Sequence, residues 1–385
     1  CRVARTWSYR PKRAKVLRCV APTCVDMLVR LSFNVRLLPG LRPVAAGKPR
    51  RMASYGNLFE ETNHSVRLHL PGSRFGVREK CMRTLNLLLL FVFVASVHAA
   101  EPKIHRDIPY ANTKNKLQTL DIYAPPEGAN HPVAIWIHGG GWHSGDKAEM
   151  DNKPKAFTEK GYVFVSINYR LWTPPWTTRD HEGVRRFQWS PAFPGTVTLT
   201  NEAEDIAKAV RWVRDHIQEY GGNREALAVL GHSAGASLAG LLCTDDRYLK
   251  AEGVPLDAIK ACVPVDGDAF DIPLHMKMAP ARQAEIDKHR FGDDQQQSRL
   301  SPITHIARGK NIPRFLIPHV ADHPLTSSQS QRLAATLREA GVSANAYAAA
   351  GTDHTRINSE LGLHGDEPTK AVFEFLSRAV NGRAD

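Results

Sequence analysis

From residue 100 onward the chain alternates continuous apolar runs with amphipathic ones. VAIWIHGGG (133–141), YVFVSINYR (162–170), LAVLG (227–231), IKACVPVDG (259–267), RFLIPHVAD (314–322) and SANAYAAAG (343–351) read as strands. Most are apolar at successive positions rather than at every second one, as strands buried on both faces are. Between them lie helical patterns. In EAEDIAKAVRWVRDHIQEYGG (202–222), Ile206, Val210, Val213 and Ile217 recur at i, i+4, i+7 and i+11, and Gly221-Gly222 end the helix. Residues 327–340 and 368–380 also read as helices. Strand–helix alternation predicts an α/β fold: a mostly parallel sheet with helices on both faces. KIHRDIPYA (103–111) and KLQTLDIYAP (116–125) suggest an antiparallel hairpin at its start.

Two stretches break this rhythm. Residues 172–198 are rich in Trp, Pro and Thr, and 272–300 contain the polar run ARQAEIDKHRFGDD. Both are expected as insertions suited to roofing a pocket.

Charge sharpens the domain picture. The net charge of +12 is concentrated in residues 1–81, which hold 17 Lys and Arg against 4 Asp and Glu; the 34 basic and 35 acidic residues that remain nearly cancel. A nucleic-acid-binding surface on the folded part is therefore not expected. Residues 1–81 lack sustained periodicity and are expected to be a disordered leader, with translation expected to begin at Met82. At Met82 the text becomes MRTLNLLLLFVFVASVHAAEP. A basic residue, an apolar stretch over 87–97 and small residues before Ala100 predict a signal peptide over 82–99. That stretch is short for a spanning helix, which needs about 20 apolar residues. The expectation is a secreted or periplasmic protein without a membrane span, with residues 100–385 as its catalytic domain. Cys243 and Cys262 sit in apolar surroundings that suit buried thiols.

The chemistry begins at LAVLGHSAGASLAGLL (227–242). Gly231-His232-Ser233-Ala234-Gly235 is a G-x-S-x-G turn between a strand and a helix, the nucleophile elbow. Glycines on either side let backbone crowd the turn. The turn lifts Ser233 Oγ above the sheet edge at a helix N-terminus, where free N–H groups favour developing negative charge. Earlier, His138-Gly139-Gly140-Gly141-Trp142 ends another strand. Its backbone N–H groups at Gly139 and Gly140, with that of Ala234, are candidates for an oxyanion hole. His138, Trp142 and His232 are candidate pocket residues. Serine requires a base, and the base an orienting acid. His354, in GTDHT after the last strand, is the expected base. Asp322, after RFLIPHVA, is the expected acid. Asp266 and Asp268 end an earlier strand and are read as pocket residues instead. His364, His323 and Asp353 are weaker competitors. No H-E-x-x-H or zinc-spaced Cys/His pair occurs, Asp180-His181-Glu182 is ill-suited to aim at one ion, and no phosphate loop or dinucleotide fingerprint is present, so no metal or cofactor is expected.

With these motifs in place, residues 103–380 resemble the α/β-hydrolase superfamily, closest to the hormone-sensitive-lipase-like and the bifunctional feruloyl and acetyl xylan esterase-like groups. HGGGWHSGDK (138–147), AVRWVRDHIQEYGGNREALAVLGHSAGASLAGLL (209–242) and ADHPLTSSQSQRLAATLREAGV (321–342) carry the likeness. The resemblance implies an eight-stranded, mainly parallel sheet, a Ser-His-Asp triad at Ser233, His354 and Asp322, oxyanion N–H groups at Gly139, Gly140 and Ala234, and no cofactor. The long 172–198 insertion and Asp322-His323-Pro324-Leu325, which lacks a valine three places after the acid, depart from the family pattern. The expected activity is that of a serine carboxylesterase acting on short-acyl, acetyl or feruloyl esters, in part on carbohydrate. Trp142, Trp172, Trp176 and Trp189 are candidates to stack on sugar or phenolic rings. The alternatives are an amide or peptide hydrolase of the same fold, arylformamidase-like or dipeptidyl-peptidase-like, and a non-catalytic binding module. The oligomeric state is left open.

Overall fold

A computed structural model of the chain describes residues 101–173, 176–181, 184–189 and 197–380. All belong to the second of the two units into which the chain divides, Asn86–Asp385. The expected leader and signal segment, and the Asp180-His181-Glu182 side chains, lie outside the described residues.

Eight strands form one sheet. In chain order they are β1 (Lys103–Pro109), β2 (Thr119–Ala124), β3 (His131–Ile137), β4 (Val163–Ile167), β7 (Gly222–His232), β8 (Ile259–Val265), β9 (Arg314–Val320) and β10 (Ala344–Ala349). Their spatial order is β1-β2-β4-β3-β7-β8-β9-β10. β1 pairs antiparallel with β2 and β2 antiparallel with β4, so the expected opening hairpin forms. From β4 to β10 every pairing is parallel. The Trp-rich insertion adds a separate antiparallel pair, β5 (Trp176–His181) with β6 (Val184–Trp189).

The helices are α1 (Lys153–Glu159), α2 (Leu199–His216), α3 (Ala234–Thr244), α4 (Asp246–Ala251), α5 (Ile272–Met278), α6 (Ala281–Phe291), α7 (Asp294–Leu300), α8 (Pro324–Glu339), α9 (Arg356–Ser359) and α10 (Glu367–Val380). Strand alternation sends side chains to two separate cores. Val133, Ile135 and Ile137 of β3 join the core shared with α2, α3 and α8, through residues such as Ile206, Leu238 and Leu333. Ala134 and Trp136 face the other way, toward Phe157 of α1 and Val372 and Leu376 of α10. The apolar runs lack clean alternation because both faces are covered. No helix among the described residues is long and apolar enough to cross a membrane. Cys243 and Cys262 are both buried free thiols.

The strand order positions the site. From β3 the chain goes to β4 on one side, and the later strand β7 pairs on the other. At such a reversal the loops leaving the carboxyl ends of the two central strands diverge and open a crevice. The loops that leave there are His138–Gly141 and the Ser233 turn.

The 272–300 insertion folds as α5, α6 and α7, tied down by a buried polar cluster. His275 Nε2 donates to Asp287 Oδ2 at 2.8 Å, and its Nδ1 to the Asp268 carbonyl at 2.9 Å. Burial opposes charge on His275, but the Asp287 and Asp268 carboxylates outweigh it and raise its pKa. Arg290 also bonds Asp287, and its guanidinium lies 4.9 Å from the ring centres of both Trp142 and Trp172. The insertion is thus clamped onto the loop after β3 rather than hanging over it.

Candidate active site

The β7–α3 junction has the tight geometry its glycines allow. Ser233 adopts φ +56° and ψ −119°, a left-handed conformation uncommon outside glycine and a store of about 1–3 kcal/mol of strain. A Cβ on Gly231 would run into the Gly235 carbonyl, and one on Gly235 into the carbonyls of Ile137 and His138. Ser233 is held by its N–H bond to the Val265 carbonyl at 3.0 Å. Its hydroxyl stands half-buried at the start of α3.

His354 arrives from the loop after β10. Its Nε2 lies 3.0 Å from Ser233 Oγ, and its Nδ1 lies 2.6 Å from Asp266 Oδ2. With the proton on Nδ1, the ring donates to the carboxylate and accepts from the hydroxyl. Asp266 follows β8 at φ +49° and is fully buried. Its other oxygen accepts the Val320 N–H at 2.9 Å, and its own N–H donates to the Pro318 carbonyl at 2.7 Å. Burial alone pushes this carboxyl up, but the bonds from His354 and the Val320 N–H win and leave it below its ordinary value. The Asp266 bond in turn raises the pKa of His354 against the opposing effect of burial.

The expected acid is therefore corrected. Asp322 is exposed and makes no bond to His354; it lies on an open surface cleft with Ser327, Gln331 and Arg332. Asp266, read from sequence as a pocket residue, occupies the acid's place. Its signal was a strand ending in a carboxylate directly beside the nucleophile strand, which becomes visible only once β8 is known to neighbour β7. The competitors are accounted for elsewhere. His323 caps α8 by accepting the Thr326 N–H, Asp353 accepts the N–H groups of Thr355 and Arg356, and His364 is exposed.

The glycine loop lies against Ser233. A Cβ on Gly139 would sit 3.2 Å from Ser233 Cβ. The backbone N–H groups of Gly139, Gly140 and Ala234 have no hydrogen-bond partner among the described residues. The loop is braced from behind. Gly140 O accepts from the N–H groups of His143 and Ser144, and from Ser144 Oγ at 2.8 Å. Lys147 is pinned by Asn168 and by Asp107 and Asp121.

Of the three expected pocket residues, Trp142 borders a cleft, while His138 and His232 are buried in packing. His138 is buried, stacked on Tyr169 at 4.4 Å, and burial lowers its pKa. His232 is buried against His354. Trp142 is buried edge-on to Phe291 and borders an apolar cleft with Ser237, Leu238, Ala269, Phe291 and Leu300. At about 10 Å³ that cleft is scarcely large enough for one water. Trp142 and Trp172 are consumed by packing, so they offer no ring face to a sugar. The Trp176 and Trp189 side chains lie outside the described residues.

The sequence matches known families in two overlapping segments. Residues 113–252 match the carboxylesterase family, and residues 197–358 match the alpha/beta hydrolase fold family. The esterase LipQ of Mycobacterium tuberculosis is 28% identical over 290 residues, which cover 72% of this chain and 62% of LipQ. The chain thus spans about three fifths of that relative's length. Among solved structures, esterase B of Lactobacillus rhamnosis inhibited by a tributyrin phosphonate superposes with a TM-score of 0.57 at 18% identity, covering 80% of this chain and 98% of that one. A truncated carbohydrate esterase from gut microbiota gives a TM-score of 0.55 at 17% identity, covering 74% and 98%. Sheet order, elbow and family matches agree on an α/β-hydrolase fold.

Proposed function

We propose that this protein is a serine carboxylesterase in which Ser233 is the nucleophile, His354 the general base and acid, and Asp266 the acid that orients it. One observation carries the reading: the continuous hydrogen-bonded line from Asp266 Oδ2 through His354 to Ser233 Oγ, at 2.6 and 3.0 Å. Ser233 Oγ bonds to the ester carbonyl carbon as its proton passes to His354 Nε2. The carbonyl oxygen takes the negative charge and receives the N–H groups of Gly139, Gly140 and Ala234. Collapse breaks the bond to the alcohol, which leaves with the proton from His354. A water deprotonated by His354 then attacks the acyl-enzyme and releases the acid and Ser233.

The small cleft lined by Trp142, Phe291 and Ser237, which lies one helical turn beyond Ser233, favours a small acyl group such as acetyl. The likeness to a carbohydrate esterase supports a sugar-borne ester, acetyl before feruloyl. The apolar segment within 82–99 supports export to the periplasm or the medium.

The test is turnover of p-nitrophenyl acetate and butyrate by the wild type and by Ser233→Ala. The expected loss in kcat is about 10⁴-fold or more. Equal activity of the two proteins would overturn the assignment. Acetylated xylan and a feruloyl ester then rank the substrates, with acetate release expected to be faster.

A further inference from the structure

The residue before the nucleophile does something that the triad does not account for. His232 is buried, and its ring bridges two separate parts of the site. Its Nε2 lies 2.9 Å from the carbonyl oxygen of His354. Its ring centre lies 4.6 Å from that of His354, tilted by 39°. On the opposite edge, its Nδ1 would be 3.2 Å from a Cβ placed on Gly139. The imidazole thus fills the space between the glycine loop after β3 and the base loop after β10.

We infer that His232 is a positioning residue, whose Nε2–H holds the His354 backbone and whose ring sets the spacing between the base and the oxyanion loop. The inference rests on the esterase reading above. Its chemistry is a single donated hydrogen bond. A carbonyl needs a donor, and a ring protonated on Nε2 supplies one while presenting a bare Nδ1 toward Gly139. Burial, followed by repulsion from His354, pushes the pKa of His232 down to about 3, so the ring stays neutral and keeps this one-donor form. The contacts call for a side chain of this length that carries a donor at its end. An aliphatic side chain fills the volume without donating, and a short amide does not reach. From behind, Lys153 Nζ donates to the Asn358 carbonyl at 2.8 Å and Asn152 to the Ser359 carbonyl at 3.0 Å.

The test compares His232→Phe, which keeps a ring and loses the donor, with His232→Gln, whose amide restores an N–H near the position of Nε2. Both are measured alongside Ser233→Ala on p-nitrophenyl acetate. A misplaced base costs reaction rate rather than ground-state binding. For the Phe variant we expect kcat to fall by about 10- to 100-fold with KM within about twofold. For the Gln variant we expect kcat within about threefold of wild type. The downfield proton resonance of the His354–Asp266 bond is expected to broaden or shift in the Phe variant and to return in the Gln variant. Equal kcat for wild type and His232→Phe, or equal losses for Phe and Gln in folded protein, would overturn the inference. Full activity in Ser233→Ala would instead overturn the reading of the site.

Discussion

At φ +49°, Asp266 turns its carboxylate back under the sheet edge, where Val320 and His354 both reach it. A charge buried to this depth is stable only because both oxygens are bonded. Asp266→Asn is therefore expected to lower kcat by about 10⁴-fold, since an amide no longer selects the productive tautomer of His354. Asp322→Asn should leave kcat within about twofold. Steady-state kinetics on one ester decides between the two carboxylates. The same pair sets the pH response. The proposed base, His354, must be neutral to take a proton, and the Asp266 bond raises its pKa above 6.5. The kcat/KM of the wild type should fall as pH drops through that raised value. In Asp266→Asn the residual activity should show its inflection at lower pH. An unmoved inflection would speak against the coupling.

The elements of the site hold one another by their ends. Lys153 at the start of α1 is fully buried over the Trp136 ring, at 4.7 Å, and reaches the carbonyl of Asn358 in α9, just past His354. Burial lowers its pKa to about 8, against the partial support of Asp151. The sign of the consequence follows from linkage. Between about pH 8 and 10.5 the unfolded chain binds more protons at this lysine than the folded one, so raising pH through that window stabilises the fold. Relative to Lys153→Met, the wild type should gain on the order of 3 kcal/mol from pH 7.5 to pH 10.5. Urea midpoints at the two pH values measure this, and parallel pH dependence in both proteins would refute it. The insertion helices α5 to α7 behave likewise. Their polar sequence reads as an insertion suited to roofing a pocket, yet Asp287 and His275 are buried and Arg290 lies against Trp142.

In the whole molecule, the two faces of the sheet divide stability from chemistry. The loops of the site leave the carboxyl ends of β3, β7, β8 and β10, while α10 packs on the face opposite to the elbow helix. Leu376→Ala should destabilise the fold by about 2–5 kcal/mol, because it opens a cavity in a fully buried position. The kcat of the folded fraction should stay within about twofold, as chemical denaturation and kinetics on the same preparation would show. Much of this architecture was legible in sequence. Apolar runs without alternation marked buried parallel strands, the spacing of Ile206, Val210, Val213 and Ile217 marked α2, and glycines around one serine marked the elbow, because each depends on neighbours only a few residues away. The short α1 and α4 were missed, since six or seven residues carry too little periodicity to register. The carboxylate that bonds His354, the burial of Trp142 and Trp172 and the contact of His232 with the His354 carbonyl were decided only by tertiary structure. Each depends on which strands lie side by side and which loops meet across the crevice, and Asp266 and His354 are 88 residues apart in a chain that brings them to 2.6 Å.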